Sequence, residues 1–80
     1  MKIQVLGTGC PKCRKLEKLA REAADSLGLE YTLQKVDDVS DIVAMGVMST
    51  PALAADGKVV LAGRVPSVGE IEKLLADAGK

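Results

Sequence analysis

The segment GTGCPKC, residues 7–13, separates a predicted β-strand at residues 2–6 from a long amphipathic stretch. Apolar residues in that stretch recur at three- and four-residue spacing, which predicts an α-helix that ends near Gly28. They are Cys13, Leu16, Ala20, Ala24 and Leu27. Pro11 suits the first helical position, because the amide hydrogen that proline lacks would have no partner there. We therefore expect Cys10 at the helix cap and Cys13 facing inward.

A second strand and a short helix are predicted downstream. Residues 31–36 have the composition of a strand, and Asp37-Asp38 supplies acidic capping for a helix that Gly46 would end. This helix is expected to turn three side chains inward. They are Val39, Ile42 and Val43.

The last part of the sequence predicts a β-hairpin and a final helix. The dipeptide Asp56-Gly57 is a strong two-residue turn signal, so residues 52–55 and 58–62 should pair antiparallel. Ser67 begins a Ser-x-x-Glu capping box, which predicts a helix start. The inward stripe of this helix is Val68, Ile71, Leu74, Leu75 and Ala78.

These elements predict one α/β domain over residues 1–80, with the order βαβαββα. A strand-helix-strand start implies a right-handed parallel crossover, and the hairpin then extends the sheet in the antiparallel sense. The expected architecture is a four-stranded mixed sheet with three helices against its faces.

Composition narrows the function classes. The 80 residues carry 11 basic and 11 acidic side chains, and Tyr31 is the single aromatic residue, so neither a cationic field nor a stacking platform for nucleic acid is expected. The start of the chain lacks the pattern of a secretory signal, and no stretch reaches a membrane-spanning length. A cytoplasmic location is the default expectation. In that reducing compartment, two close cysteines indicate redox turnover or metal binding.

The Cys10–Cys13 spacing suits reversible thiol chemistry. Two cysteines three residues apart at a helix start can reach the roughly 4.4–6.8 Å Cα separation of a disulfide. At the cap, Cys10 would meet amide donors and the positive end of the helix dipole, which favour the thiolate, so Cys10 is the expected nucleophile. An inward Cys13 would keep a higher pKa until it resolves the mixed disulfide.

Three other roles for the cysteines stay open. A permanent disulfide would close so short a loop that it contributes only about 2 kcal/mol. Two thiolates also suit Cu(I) or Zn²⁺, but the chain has no His and no further Cys, so a closed zinc site would need a second subunit or carboxylates such as Asp37 or Asp38. The third role is a disulfide whose redox state switches a partner protein. For the favoured redox role we expect no metal and no cofactor.

A Thr-Pro pair supports the redox interpretation. Thr50-Pro51 opens the third strand, where proline is tolerated at a first position. Together with the upstream CxxC, this pair resembles the cis-proline loop of thioredoxins and glutaredoxins. The whole chain, including residues 7–13, 48–52 and 63–67, resembles the small prokaryotic glutaredoxin-like redox-active disulfide proteins of the thioredoxin-fold superfamily.

The resemblance implies a minimal thioredoxin fold and dithiol-disulfide exchange, with Cys10 attacking and Cys13 resolving. It also implies that Thr50 and Pro51 form a substrate platform, since the residue before the cis-proline offers backbone hydrogen bonds to an extended substrate. Three neighbouring residues would support the motif. They are Gly9, Pro11 and Lys12.

We expect a monomer that reduces disulfides of proteins or small molecules, and the resemblance suggests a thioredoxin-reductase-like flavoenzyme as its electron donor. The sequence departs from the better-known relatives at several points. Gly9 stands where thioredoxins have Trp, and residues 63–67 replace the loop that helps glutaredoxins hold glutathione. The first strand has no acidic residue to match the buried carboxylate of thioredoxins, so proton delivery to Cys13 is expected to depend on water.

Overall fold

The computed structural model describes residues 1–9 and 11–78 and confirms the predicted order βαβαββα. The strands are β1 (Lys2–Leu6), β2 (Thr32–Val36), β3 (Ala52–Ala55) and β4 (Lys58–Ala62). The helices are α1 (Pro11–Ser26), α2 (Val39–Ala44) and α3 (Val68–Ala78). The predicted cap position of Cys10 lies outside the described residues. None of the described helices is long and apolar enough to cross a membrane.

The four strands form one mixed sheet in the order β2-β1-β3-β4. Strands β1 and β2 are parallel, whereas β3 is antiparallel to both β1 and β4. In the β1–β3 register, Leu6 lies opposite Ala52, so the chain leaving β1 and the chain entering β3 lie side by side. This arrangement brings Gly7 close to Pro51 at one end of the sheet.

Hydrophobic clusters cover both faces of the sheet. Helices α1 and α3 pack on one face, where Leu16 and Ile71 are fully buried against alternate residues of β1 and β3. Helix α2 lies on the other face, where Ile42 packs with Leu6 and Val36. The central strands β1 and β3 therefore contribute to both clusters, as the two-residue period of a strand requires.

The predicted end of α1 near Gly28 is confirmed, because a Schellman motif closes the helix. Gly28 has a left-handed φ of +68°, and its amide donates to the Asp25 carbonyl at 3.1 Å. The Leu29 amide donates to the Ala24 carbonyl at 3.1 Å, which completes the motif. The apolar stripe of α1 ends at Ala24, however. Leu27, the fifth predicted member, lies beyond the last helical residue and is exposed.

The prediction that three side chains of α2 face inward is wrong for two of them. Asp38 caps the helix as expected, accepting a hydrogen bond from the Ser40 amide at 2.8 Å, and Ile42 is buried. Val39 and Val43, both predicted to face inward, are 61% and 56% exposed. The reason is length: a helix of six residues makes fewer than two turns and touches the sheet along a strip about one side chain wide.

The predicted hairpin and final helix are both present. Asp56 and Gly57 have φ values of +51° and +83°, as a type I′ turn between antiparallel strands requires. The Glu70 amide donates to Ser67 Oγ at 3.3 Å, which caps α3. The Glu70 carboxylate contacts the Arg64 guanidinium, so this ion pair joins the first turn of α3 to the loop before it.

Candidate active site

The predicted inward orientation of Cys13 is confirmed. Cys13 lies in the first turn of α1, which begins at Pro11, and only 5% of Cys13 is exposed. The side chain packs over the end of β1, so its sulfur lies where the first strand, the first helix and the entry to the third strand meet. Gly9, two residues before Pro11, is exposed and has a left-handed φ of +86°.

Gly7 makes room for the Cys13 side chain. A Cβ atom placed on Gly7 would lie within hard overlap of Cys13 Sγ and 3.2 Å from Cys13 Cβ, and 3.9 Å from Pro51 Cα. Gly7 is not among the residues with a left-handed φ, so space rather than backbone conformation requires glycine here. The sequence pattern indicated only that residues 7–13 separate the first strand from the first helix, and it did not reveal this contact, which arises only when β1, α1 and the Pro51 loop come together.

The Thr50-Pro51 peptide bond is cis, as the resemblance implied. Pro51 is buried beside the Gly7–Cys13 contact, whereas Thr50 is exposed. The Gly63 amide donates to the Pro51 carbonyl at 2.8 Å, so the chain after β4 holds this loop in place. The structure thus brings Cys13, Thr50 and Pro51 to one end of the sheet. Cys10, the other predicted catalytic residue, lies outside the described residues.

An open groove of about 380 Å³ runs beside Thr50 and Pro51. Lys12 and Lys15 contribute to its wall from the start of α1, and Arg64 contributes from the loop after β4. All three cationic side chains are exposed. The predicted motif residue Lys12 therefore lies in the first turn of α1 and at the groove.

A second cavity, of about 210 Å³, reaches the Cys13 side chain from the β2 side of the sheet. Glu17 and Lys35 line it together with Cys13, and their charged groups are 3.1 Å apart. The Glu17 side chain is only 16% exposed, and Arg21 contacts the same carboxylate at 3.5 Å. Sequence reasoning found no acidic residue in the first strand. The sequence feature that could have pointed to Glu17 is its i,i+4 spacing from Cys13, which places both residues on one side of α1.

Comparison with known proteins identifies the family. A family model described as "Thioredoxin domain" matches residues 1–76. The chain belongs to the thioredoxin family. It is 45% identical to a thioredoxin of Methanothermobacter thermautotrophicus over 76 residues, which cover 95% of this chain and 99% of that protein. It is 41% identical to a thioredoxin of Methanocaldococcus jannaschii over 73 residues, covering 91% of this chain and 84% of that protein.

Membership of the thioredoxin family fixes the general activity. Thioredoxins are dithiol-disulfide oxidoreductases that reduce protein disulfides, and this chain is an enzyme of that class. The βαβαββα order shows that it has a minimal form of the thioredoxin fold.

Proposed function

We propose that this thioredoxin-family enzyme reduces disulfides through Cys10 and Cys13, with Cys10 as the attacking and Cys13 as the resolving residue. The observation that carries the proposal is the burial of Cys13 in the first turn of α1, packed against Gly7 and next to the Pro51 loop. A buried thiol is protected from general oxidation, which suits the resolving role of Cys13. Cys10, three positions earlier in the sequence, precedes the helix and is therefore assigned the attacking role.

In the first step, the Cys10 thiolate attacks one sulfur of the substrate disulfide. A new sulfur–sulfur bond joins the enzyme to the substrate, the substrate disulfide breaks, and the departing thiolate takes a proton from solvent. Because Cys10 comes directly before Pro11, the first residue of α1, we expect the amide donors and the helix dipole at that end to favour its thiolate over the thiol. The proposed product of this step is a mixed disulfide at Cys10.

In the second step, Cys13 loses its proton and attacks the Cys10 sulfur. The mixed disulfide breaks, the substrate leaves with its second sulfur reduced, and the enzyme retains a Cys10–Cys13 disulfide. Two electrons pass from the enzyme dithiol to the substrate. The cavity that Cys13 shares with Glu17 supports a water-borne route for the proton, with the Glu17 carboxylate as its acceptor.

Thr50 and Pro51 are proposed to hold the substrate during both steps. Thr50 is exposed at the entry to β3 and next to the Cys13 end of the sheet, so an extended segment could add to the chain there as an extra strand. Gly9, Pro11 and Lys12 are proposed to shape the approach to the thiols. Binding at this end of the sheet would bring the substrate disulfide to the start of α1.

We also propose that the 80 residues act as a single cytoplasmic domain without a bound cofactor. The oxidised enzyme must be reduced before it can act again, and a thioredoxin-reductase-like flavoenzyme is the proposed electron donor. The proposed substrates are disulfides of proteins or of small molecules.

Trapping of the mixed disulfide tests the assignment of roles. We expect the Cys13→Ser protein to accumulate mixed disulfides through Cys10, because the resolving thiol is absent. The matched Cys10→Ser protein should accumulate far less, and peptide mapping by mass spectrometry identifies the linked cysteine. Trapping through Cys13 in the Cys10→Ser protein would reverse the assigned roles.

A redox titration tests the class of chemistry. Metal-free protein is equilibrated in dithiol buffers, quenched with an alkylating agent, and its thiols are counted by intact mass. We expect a reversible two-thiol transition between roughly −180 and −280 mV. A pair that stays oxidised below about −300 mV would be a structural bridge, and a pair that fails to close would favour metal binding.

A further inference from the structure

We propose that the groove beside Thr50 and Pro51 selects protein disulfides whose cysteine is flanked by acidic residues. This inference rests on the proposed function and adds a substrate preference to it. Its basis is the charge of the groove wall, where the ionisable side chains among the residues that the structure describes are all cationic: Lys12, Lys15 and Arg64.

The concentration of positive charge is local. The whole chain has 11 basic and 11 acidic side chains, so its formal net charge is zero. The excess of positive charge at this groove is therefore balanced by acidic residues elsewhere on the surface. A cleft lined by charge of one sign raises the local concentration of oppositely charged segments and speeds their encounter.

The ion pair at the groove leaves a net positive charge. Glu70 contacts Arg64 and offsets one of the three cations, so two remain in excess. Arg64 is still 54% exposed, and a guanidinium has five N–H donors, more than one carboxylate can accept from. The contact with Glu70 also restrains Arg64, which reduces the entropy lost when a second carboxylate binds.

The position of the cations favours an extended protein segment as the ligand. Lys12 and Lys15 come from the first turns of α1, whereas Arg64 comes from the loop after β4, and the exposed Thr50 also lines the groove. A segment that adds as a strand along Thr50 would present side chains at several positions to a groove with cations from two elements. Carboxylates on residues flanking the substrate cysteine match this arrangement.

Three disulfide-linked peptide dimers test the preference. Their sequences are identical except that the residues flanking the cysteine are Asp, Ser or Lys. Reduced enzyme is mixed with each dimer, the reaction is stopped with acid, and the products are separated by chromatography. In about 10 mM salt, where the Debye length is about 30 Å, we expect the Asp dimer to react about tenfold faster than the Ser dimer and the Lys dimer to react slowest. In about 1 M salt the three rates should converge.

Two substitutions in helix α1 test whether the groove is the source of the preference for the Asp dimer. Lys15→Glu and Lys18→Glu make the same charge change at exposed positions of α1, but only Lys15 lines the groove. We expect Lys15→Glu to abolish the preference for the Asp dimer and Lys18→Glu to retain most of it. Equal losses in the two variants would mean that overall charge, rather than the groove, sets the preference, and the inference would be wrong.

The remaining outcomes separate this inference from the proposed function. If wild-type enzyme reduces all three dimers at equal rates, the groove has no acidic preference although the proposed function stands. If it reduces none of them, the proposed function fails and the inference fails with it. Faster reduction of glutathione disulfide than of the Asp dimer would show that the groove serves a small anionic disulfide instead of a protein segment, and the inference would be wrong.

Discussion

At the scale of single residues, Gly7 is the position that most directly controls the geometry of Cys13. In Gly7→Ala, the new methyl group would overlap Cys13 Sγ and lie 3.2 Å from Cys13 Cβ, so the thiol must move. We expect the mixed disulfide to be resolved at least about tenfold more slowly, because a displaced thiol loses its alignment for attack. Overpacking should also lower the free energy of unfolding by about 1–3 kcal/mol. Rapid acid quenching and urea denaturation measure the two effects.

The matched control for this substitution is Gly69→Ala. Gly69 lies in α3, has no left-handed φ, and a Cβ there would meet open space. Alanine should raise the free energy of unfolding by up to about 1 kcal/mol and leave the rate of resolution unchanged. A Gly7→Ala enzyme that resolves its mixed disulfide at the wild-type rate would show that the Cys13 thiol does not need the space at Gly7.

Glu17 provides a second test at the residue scale. If its carboxylate accepts the Cys13 proton through water, Glu17→Gln should lengthen the lifetime of the mixed disulfide about tenfold at pH 7. The difference should disappear at high pH, where hydroxide removes the proton directly. A carboxylate that acts only as a nearby negative charge predicts the opposite, because removing that charge would favour the Cys13 thiolate. Glu22→Gln, at an exposed position on the same helix, is the control.

At the scale of elements, residues whose structure depends on local signals were predicted best. Pro11, Gly28 and Asp56-Gly57 act through backbone conformation within a few residues, and each occupies its expected place. The burial of Val39 and Val43 was predicted wrongly, because the side chains that a short helix buries depend on where it meets the sheet. The spacing of apolar residues in the sequence does not indicate where the helix meets the sheet.

The connection between α1 and β2 gives a prediction that depends on pH. Tyr31 Oη, just before β2, donates to Asp25 Oδ1 near the end of α1 at 3.0 Å. Desolvation of the phenol, followed by this hydrogen bond and the negative charge of Asp25, raises the pKa of Tyr31 above its ordinary value. Tyr31 is the only tyrosine and there is no tryptophan, so tyrosinate absorbance reports on this group alone. We expect its midpoint above about pH 10 in the folded protein and near pH 10 in urea.

The sign of the effect on stability follows from this shift. Because the pKa of Tyr31 is higher in the folded state, its contribution to the free energy of unfolding is fully present below about pH 10. That contribution is lost as the pH rises through the folded-state pKa. Asp25→Asn should lower the absorbance midpoint, since it removes both the charge and a strong acceptor. An unchanged midpoint in Asp25→Asn would mean that the two elements are not joined by this bond in solution.

At the scale of the whole molecule, the order of elements and the parallel crossover followed from the sequence, whereas the meeting of distant segments did not. The CxxC spacing indicated an inward Cys13, but its contact with Gly7 depends on the pairing of β1 with β3. The cavity shared by Glu17 and Lys35 likewise requires α1 to lie close enough to β2 for these two side chains to meet. Long-range strand pairing and helix packing therefore determine the parts of the site that local patterns could not predict.

The two hydrophobic clusters share strands β1 and β3, so the domain should unfold as one unit. Leu53, on β3, is fully buried in the larger cluster, and Leu53→Ala should lower the free energy of unfolding by about 2–5 kcal/mol. In the Cys10→Ser background, alkylation of the buried Cys13 in urea should shift together with the circular dichroism transition, because access to Cys13 then requires global unfolding. Val39→Ala, at an exposed position, should change the free energy by less than about 0.5 kcal/mol. If Cys13 became reactive at urea concentrations well below the circular dichroism transition, the active-site end would open independently. The prediction that the domain unfolds as one unit would then be wrong.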